Sequence, residues 1–408
     1  MSVKRISYGL VAVVIAMMTA VSCAKDFPDG SPSGIPQDLS APIEFGVGDG
    51  ATKGLDPLDY IEQLDKYGFG VFAGYSVPGE TFGKDSPSDN YFSNLWVKKI
   101  EESDLWSPVK KTKDDKVQRV PTYWPLTGSL SFFAYAPYFE STVATEDVPE
   151  PALELPSSDY DGGLVRGRYS PHSFVSNQPD FCVAAPQLNR TKNDGPVPLT
   201  FKHVLSRVRF YFNGNGVANP HYKYRVTSIT IKNVVASNKF TYTMDPEHPC
   251  EWDAIDSSTD RTGEFELDLS RNEVTTRWIM FITDDKAKYE ANPDIYIDPD
   301  ATGLDRYVFI NVTDNGRLYM LPQTLTEDAK LEIIITVYAQ SSSGTDWIPI
   351  SMLPPVEVSL PTETAWEYGK TVSYLATLDI PEIRVVNVTA LVTDWEDSHN
   401  RHTQEIID

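Results

Sequence analysis

The sequence predicts an all-β protein built as two tandem β-sandwiches, and three observations carry that expectation. Apolar and polar residues alternate in many short runs, each bounded by Gly, Pro, Asn or Asp. Turn chemistry is abundant, with 30 Pro, 24 Gly and 12% aromatic residues, which suits strands and tight connections better than helices. The chain of 408 residues is also longer than one hydrophobic core usually organises, so two cores of ordinary size are expected. A net charge of −23 and a pI near 4.6 exclude non-specific nucleic-acid binding and suit an exposed, soluble surface. Three cysteines are too few for a disulfide scaffold.

At the N-terminus, Lys4 and Arg5 precede an uncharged run, Ile6 to Ser22, with an apolar core from Leu10 to Met18. That core is too short to span a bilayer and has the length of a secretory signal, so residues 1–22 are read as a signal peptide. Ala20-Val21-Ser22-Cys23 resembles a lipobox, which implies a lipidated Cys23 at the mature N-terminus. Lys25-Asp26 resembles the short signal that directs such lipoproteins to the outer face of the outer membrane. Residues 23–40 are rich in Pro, Gly, Ser and Asp with little to bury, and read as a flexible tether.

Residues 41–195 are assigned to the first sandwich. Its first strand has Ile43, Phe45 and Val47 on one face and is ended by Gly48-Asp49-Gly50. Asp56-Pro57 opens a helix that Gly68 closes. From Tyr67 to Tyr75 the odd positions are apolar and the even ones include Gly68, Gly70 and Gly74, which predicts a neighbour packed closely on the bare side. Tyr91-Phe92, Tyr123-Trp124-Pro125 and Leu130 to Tyr138 lie in near-continuous apolar runs, the pattern of a core and not of an exposed sugar-binding platform. Glu140 to Asp180 is acidic and turn-rich and reads as a surface excursion. Asn189 to Pro198 is the linker candidate, which sets the second sandwich at residues 196–408.

Between Leu199 and Phe212 the alternation changes parity. Leu199, Phe201 and Leu205 share one face, whereas Val208, Phe210 and Phe212 take the other, so a bulge or bend is expected near Ser206 and Arg207. Further strands are expected through Val226 to Val235, Phe240 to Met244, Phe265 to Leu269, Trp278 to Ile282, Tyr307 to Val312, Leu331 to Ala339, Val356 to Leu360 and Thr371 to Leu378. The last, Ile383 to Trp395, is expected at a sheet edge with Val386, Val388, Ala390 and Val392 on one face. It is a candidate to donate itself to a neighbouring molecule, and a role within its own domain is equally open.

Nothing in the pattern points to catalysis. Among the six histidines, His172, His203, His221, His248, His399 and His402, only His399-x-x-His402 has metal-ligand spacing, and His203 reads as a hydrogen-bonded core or groove residue. Gly-x-Ser-x-Gly, phosphate-loop and His-Glu-x-x-His motifs do not occur. Asp298 to Gly303 begins like a calcium loop, but the twelfth position is Phe309 and not Glu, so it reads as a turn. No catalytic residue, metal or cofactor is expected, and the protein is read as a non-enzyme. Cys182 and Cys250 are free to pair or not, as far as sequence goes.

The wording of several of these stretches carries a resemblance. Phe201-Lys202-His203-Val204-Leu205-Ser206-Arg207-Val208, the Tyr123-Trp124-Pro125 and Leu130 to Tyr138 pair, Tyr319-Met320-Leu321-Pro322-Gln323 and Trp366-Glu367-Tyr368-Gly369-Lys370 resemble landmarks of the fimbrillin lipoproteins (FimA-type and Mfa-like) of Bacteroidetes. The resemblance runs from Cys23 to Trp395. It implies two transthyretin-like sandwiches behind a lipidated leader and a role as a structural subunit of a surface fimbria that serves adhesion. It also implies partners: other fimbrial subunits, the outer membrane through the lipid, and a protease that removes the first strand so that a strand of another subunit takes its place. The removable strand is then Ile43, Phe45 and Val47. Lys53-Gly54 is the cleavage bond, because Lys53 is the only basic residue between Lys25 and the expected helix. Fimbrillin processing usually follows arginine, and no arginine occurs between Cys23 and Arg119. Either the protease accepts lysine, or the chain keeps its strand as a non-polymerising anchor or tip subunit. The alternative from another class is a glycan-binding surface lipoprotein of the SusE or SusF type.

Overall fold

In the computed structural model of the chain the alternation becomes strands almost everywhere. The residues it describes are 34–47, 64–82, 89–99, 105–140, 152–154, 166–174, 178–216, 218–255, 262–270, 277–310, 318–344 and 346–395. The first part of the chain forms β1 (Gln37–Pro42), β2 (Phe45–Val47), β3 (Phe69–Ser76), β4 (Asp89–Lys99), β5 (Trp106–Lys111), β6 (Val117–Arg119), β7 (Tyr123–Pro125) and β8 (Ser129–Ala136). Then come β9 (Ala152–Glu154), β10 (Arg166–Ser170), β11 (Cys182–Arg190), β12 (Val197–Leu199), β13 (Phe201–His203), β14 (Ser206–Asn215), β15 (Tyr222–Val235), β16 (Asn238–Tyr242) and β17 (Cys250–Trp252). The rest are β18 (Thr262–Asp268), β19 (Val308–Phe309), β20 (Leu318–Met320), β21 (Lys330–Gln340), β22 (Trp347–Met352), β23 (Val356–Ser359), β24 (Lys370–Asp379) and β25 (Arg384–Asp394).

The N-terminal strands build a nine-stranded sheet in the order β12-β2-β5-β4-β3-β8-β11-β13, with β6 on β5. Both of its faces are buried, as near-continuous apolar runs demand. Along β8, Leu130, Phe132, Ala134 and Ala136 enter one core while Phe133 and Tyr135 enter another on the opposite face. Gly70 on β3 leaves the room Tyr135 needs, since a Cβ at Gly70 would lie 2.3 Å from the Tyr135 ring. Residues 64–67 are the described end of the expected helix, and Gly68, with φ +71°, closes it by donating to the Leu64 carbonyl, the left-handed stop for which glycine is suited.

The C-terminal strands form two five-stranded sheets, β19-β14-β24-β25 with β20 on β14, and β18-β15-β21-β22 with β23 on β21. Val208, Phe210 and Phe212 of β14 meet Ile229 and Ile231 of β15 and Leu331 and Ile333 of β21 in the largest core. A third core lies between the nine-stranded sheet and a four-stranded one, β17-β16-β10-β9. Its strands come from both halves of the chain: Tyr169 of β10 packs with Phe240 and Tyr242 of β16.

Several expectations change. The stretch 189–198 is not a linker between sheets: its Lys192–Asp194 turn joins β11 to β12, and β12 and β13 pair with β2 and β11 inside the first sheet. The chain leaves that sheet only after His203, eight residues beyond the expected boundary at 195. Of the bulge or bend expected near Ser206 and Arg207, the structure has the bend: the chain breaks at Val204 and Leu205, both fully buried in the third core, and β14 starts at Ser206. The Glu140 to Asp180 excursion contributes β9 and β10 to the shared sheet. The expected tether ends early, since residues 37–40 belong to β1, paired with β7. Trp278 to Ile282 is held by backbone hydrogen bonds and isolated bridges at Phe281, not by a ladder. Cys182 and Cys250 are free, buried thiols in separate cores. Phe132 and Tyr135 of the apolar run in β8, and Phe201, Leu205, Val208 and Phe210 of the two parity sets, are all buried.

Gly70→Ala should destabilise the protein by about 1–3 kcal/mol, the cost of forcing a methyl into a filled core. Gly46→Ala, where a Cβ meets nothing within 4 Å, should be near neutral. Urea unfolding of the two variants checks the contrast.

Candidate functional site

Ile43, Phe45 and Val47 occupy a slot in the first sheet. β2 runs antiparallel to β5, with Phe45 opposite Trp106, and parallel to β12, with Phe45, Gly46 and Val47 opposite Val197, Pro198 and Leu199. Both edges of this three-residue strand are therefore paired. The Ile43 N–H donates to the Thr122 carbonyl at 2.7 Å and the Val197 N–H to the Glu44 carbonyl at 2.9 Å. Ile43 and Phe45 are fully buried, and Val47 packs against the same core. The Phe45 ring meets Phe69 and Phe132 edge-on, at centroid distances of 5.9 and 5.8 Å, the favoured geometry for paired rings. The one-sided apolar face expected of this segment is present.

Outside that face the N-terminal segment is lightly held. Among the described strands β1 pairs only with β7, with Ala41 against the core; Leu39 is 72% exposed, and the ion pairs of the segment are the surface ones Asp38–Lys192 at 2.6 Å and Glu44–Arg119 at 2.8 Å. The Lys192 hydrogen bond, with help from Ser40, brings the Asp38 carboxyl down to about 2. Exposed pairs of this kind contribute little. Burial of Ile43 and Phe45, at ~1.5–3 kcal/mol each, dominates the docking, so the segment is held by roughly 3–6 kcal/mol of apolar contact. Cys23, Lys53 and Gly54 lie outside the described residues.

The candidate donor strand lies at a sheet edge, as expected, but its four apolar residues are arranged differently. β25 is the edge of its sheet and pairs antiparallel with β24 along its length. Val386, Val388, Ala390 and Val392 do not share one face. The register shifts where Leu378 pairs with Val385 and Thr377 with Asn387, which takes Val386 out of phase. Val388 and Ala390 pack on the core, whereas Val386 and Val392 are 47% and 41% exposed.

At the junction of the sheets a buried polar cluster escaped sequence reading, except for His203. The His203 Nδ1 lies 2.7 Å from Asp180 Oδ2, and its ring stacks on Trp395 at 4.0 Å. Arg207, 1% exposed, donates to Thr371 Oγ1 at 3.1 Å and to the Trp395 carbonyl at 3.0 Å, with its guanidinium 4.7 Å from the Trp395 ring centroid. Among the described residues Asp180, Cys182 and His203 are the one trio with ligand-type atoms within 4.8 Å of each other. Two ligands sharing a tetrahedral zinc stand about 3.3 Å apart, wider than the Asp180–His203 contact. Burial and the neighbouring Asp180 push the Cys182 thiol well up, against the thiolate a metal requires. The trio is a hydrogen-bonded joint. The Asp298 stretch is a turn, in which the Asp298 carboxylate accepts from the Asp300 N–H at 2.9 Å.

The sequence profile of the fimbrillin-like family matches residues 83–395. Among solved structures, the chain is similar to a fimbrial protein from Bacteroides vulgatus ATCC 8482, with 20% identity, a TM-score of 0.53 and coverage of 87% of this chain and 99% of that one. It is more distantly similar to proteins from Bacteroides uniformis ATCC 8492 and Bacteroides ovatus ATCC 8483, each named as a candidate cell adhesion protein. The first has 14% identity, TM-score 0.38 and coverage of 87% and 99%; the second has 15%, 0.39, and 87% and 97%. None of the curated protein sequences compared with the chain matches it. With the all-β architecture and a profile match over most of its length, the chain belongs to the fimbrillin-like family.

Proposed function

We propose that the protein is a structural subunit of a cell-surface fimbria with a role in adhesion, exported as a lipoprotein on Cys23 and assembled by strand exchange at the β2 slot. The observation that carries this reading is the pairing of Phe45–Val47 on both edges, between β5 and β12. Removing so small a strand exposes two ladder edges and the space beside Phe69 and Phe132 in one step. An incoming strand from another subunit satisfies both, which is β-augmentation. Cleavage at Lys53-Gly54 would free the segment to leave. A chain that keeps β2 serves instead as a lipid-held anchor. Among the described residues no helix is long and apolar enough to cross a membrane, and the lipid is the proposed attachment to the outer membrane.

β25 is better suited to its own sheet. Its last turn is fixed through Trp395, which Arg207, His203 and Tyr319 hold from three sides. The glycan-binding lipoprotein reading draws no support from the first half, where Tyr91, Phe92, Trp124, Phe132 and Phe133 are buried.

Cys23→Ala should move the protein from the detergent phase to the aqueous phase on Triton X-114 partitioning; unchanged partitioning would sink the lipoprotein assignment. Low-dose trypsin on the purified lipoprotein should create a new N-terminus at Gly54 and, with it, ladders stable in warm detergent. A first cut elsewhere, or cutting at Lys53 without assembly, counts against exchange at this slot. Deleting residues 383–408 should misfold the C-terminal half, seen as lost cooperativity on thermal unfolding; a folded but non-polymerising product would make β25 the donor.

A further inference from the structure

We propose that a cleft in the C-terminal half, walled by Trp278, Tyr289, Tyr296 and Tyr307, binds a neutral oligosaccharide. The cleft has a volume of about 690 Å³, within the range of small-molecule sites. It shares no residue with the β2 slot.

Its wall composition differs from the rest of the molecule. The first half buries most of its large rings completely, whereas these four are half-exposed around one depression. A half-exposed Trp or Tyr offers a flat apolar face and a polar tip, the complement of a pyranose with its C–H face and rim of hydroxyls. None of the three phenol hydroxyls makes a hydrogen bond among the described residues, so all three tips are available. The charges around the rings are of both signs: Lys223 and Arg277 stand with Asp294, Asp298 and Asp305. A polyanion would meet the carboxylates and a polycation the two bases. Hydroxyl groups donate to one and accept from the other, which selects a neutral, polyhydroxylated ligand.

The walls are also fixed in advance. Ile279 donates to the Tyr224 carbonyl and Gly214 to that of Met280; Phe281 donates to Ile295 and Ile297 back to Phe281, all at 2.8–2.9 Å. The helix Lys286–Ala291, which carries Tyr289, is capped by the Asp285 carboxylate and tied by Lys286 to Asp300. Asn213 holds the Arg306 carbonyl at 3.0 Å, beside Tyr307. Arg225 and Lys223 stand over the Trp278 ring, 3.7 and 5.4 Å from its centroid, and Tyr338 meets it edge-on at 5.0 Å, so that indole is fixed as the back of the wall and the tyrosines supply the faces for a sugar. Preformed walls spare the ligand the cost of ordering them.

The test uses the full-length protein on an array of neutral hexasaccharides of glucose, mannose, galactose and xylose, with oligogalacturonate and a random peptide library alongside. The expected result is retention of at least one neutral glycan, with affinity by calorimetry falling roughly tenfold in Tyr296→Ala and in Tyr307→Ala, the loss of one stacked ring. Tyr289→Ser, on a surface helix, should weaken binding with an unchanged melting temperature, which separates the site from folding. Retention of peptides or of the acidic oligomer alone, no retention at all, or neutral-glycan binding unaffected by all three substitutions would overturn the proposal. None of these outcomes bears on polymerisation.

Discussion

A buried guanidinium with no room for error ties the two halves of the molecule together. Arg207 is the second residue of β14, where the chain has just left the first sheet, and removing a charge from water is costly unless it is paired and hydrogen-bonded. Its bonds to Thr371 of β24 and to the carbonyl of Trp395 bring the start of one strand, the start of another and the end of the last into one place. The Trp395 indole is then stacked by His203 from the first sheet and by Tyr319 of β20, and His203 is held by Asp180. The packing of the third core, in which Val204 and Leu205 change sheets, follows from that joint.

The same joint explains what could and could not be read from the sequence. The conflict between the Leu199, Phe201, Leu205 set and the Val208, Phe210, Phe212 set is visible in the residues, because a period of two leaves no other reading. Its resolution is not, since a bulge and a change of sheet have the same local signature. The Asn189 to Pro198 stretch misleads for a related reason: Asn, Gly and Pro announce a turn, but a turn between partners of one sheet and a linker between two look alike. Pairing of β10 with β16, some seventy residues apart, leaves no local trace. Val386 is out of phase because β25 carries one extra residue there, opposite Thr377 and Leu378 of a regular β24, and such a bulge leaves no mark in the alternation itself. The short strand at Ile43, Phe45 and Val47 is legible because its whole content is local: three alternating apolar residues between a proline and glycines. The cleft aromatics were not, because Trp278, Tyr289, Tyr296 and Tyr307 meet only through the fold.

Energetics separate the two ends of the chain. The N-terminal segment is held mainly by Ile43 and Phe45, and its ion pairs, Asp38–Lys192 and Glu44–Arg119, lie at the surface. Withdrawing β25 would strip Arg207 of the Trp395 carbonyl and ring and uncover Val388 and Ala390. Losing one partner of a buried charge costs about 3–5 kcal/mol, comparable to the apolar contact that holds β2, and the lost packing of Val388 and Ala390 adds to it.

If β2 is exchanged as proposed, the slot constrains what can replace it. One neighbour, β5, is antiparallel and the other, β12, is parallel, so a strand running the opposite way reverses both patterns. Pro198 in β12 supplies no N–H, which leaves a gap in that ladder and concentrates recognition in the side chains. The central position faces the edges of Phe69 and Phe132, and a small residue there leaves a cavity whose cost for Phe→Ala is about 3–5 kcal/mol. A donor with a large apolar residue flanked at i−2 and i+2 by aliphatic ones restores what Phe45, Ile43 and Val47 provide. The Val386, Val388, Ala390 and Val392 series offers only small side chains at every such position, so the fit of the pocket, like the anchoring of Trp395, favours a donor strand other than β25.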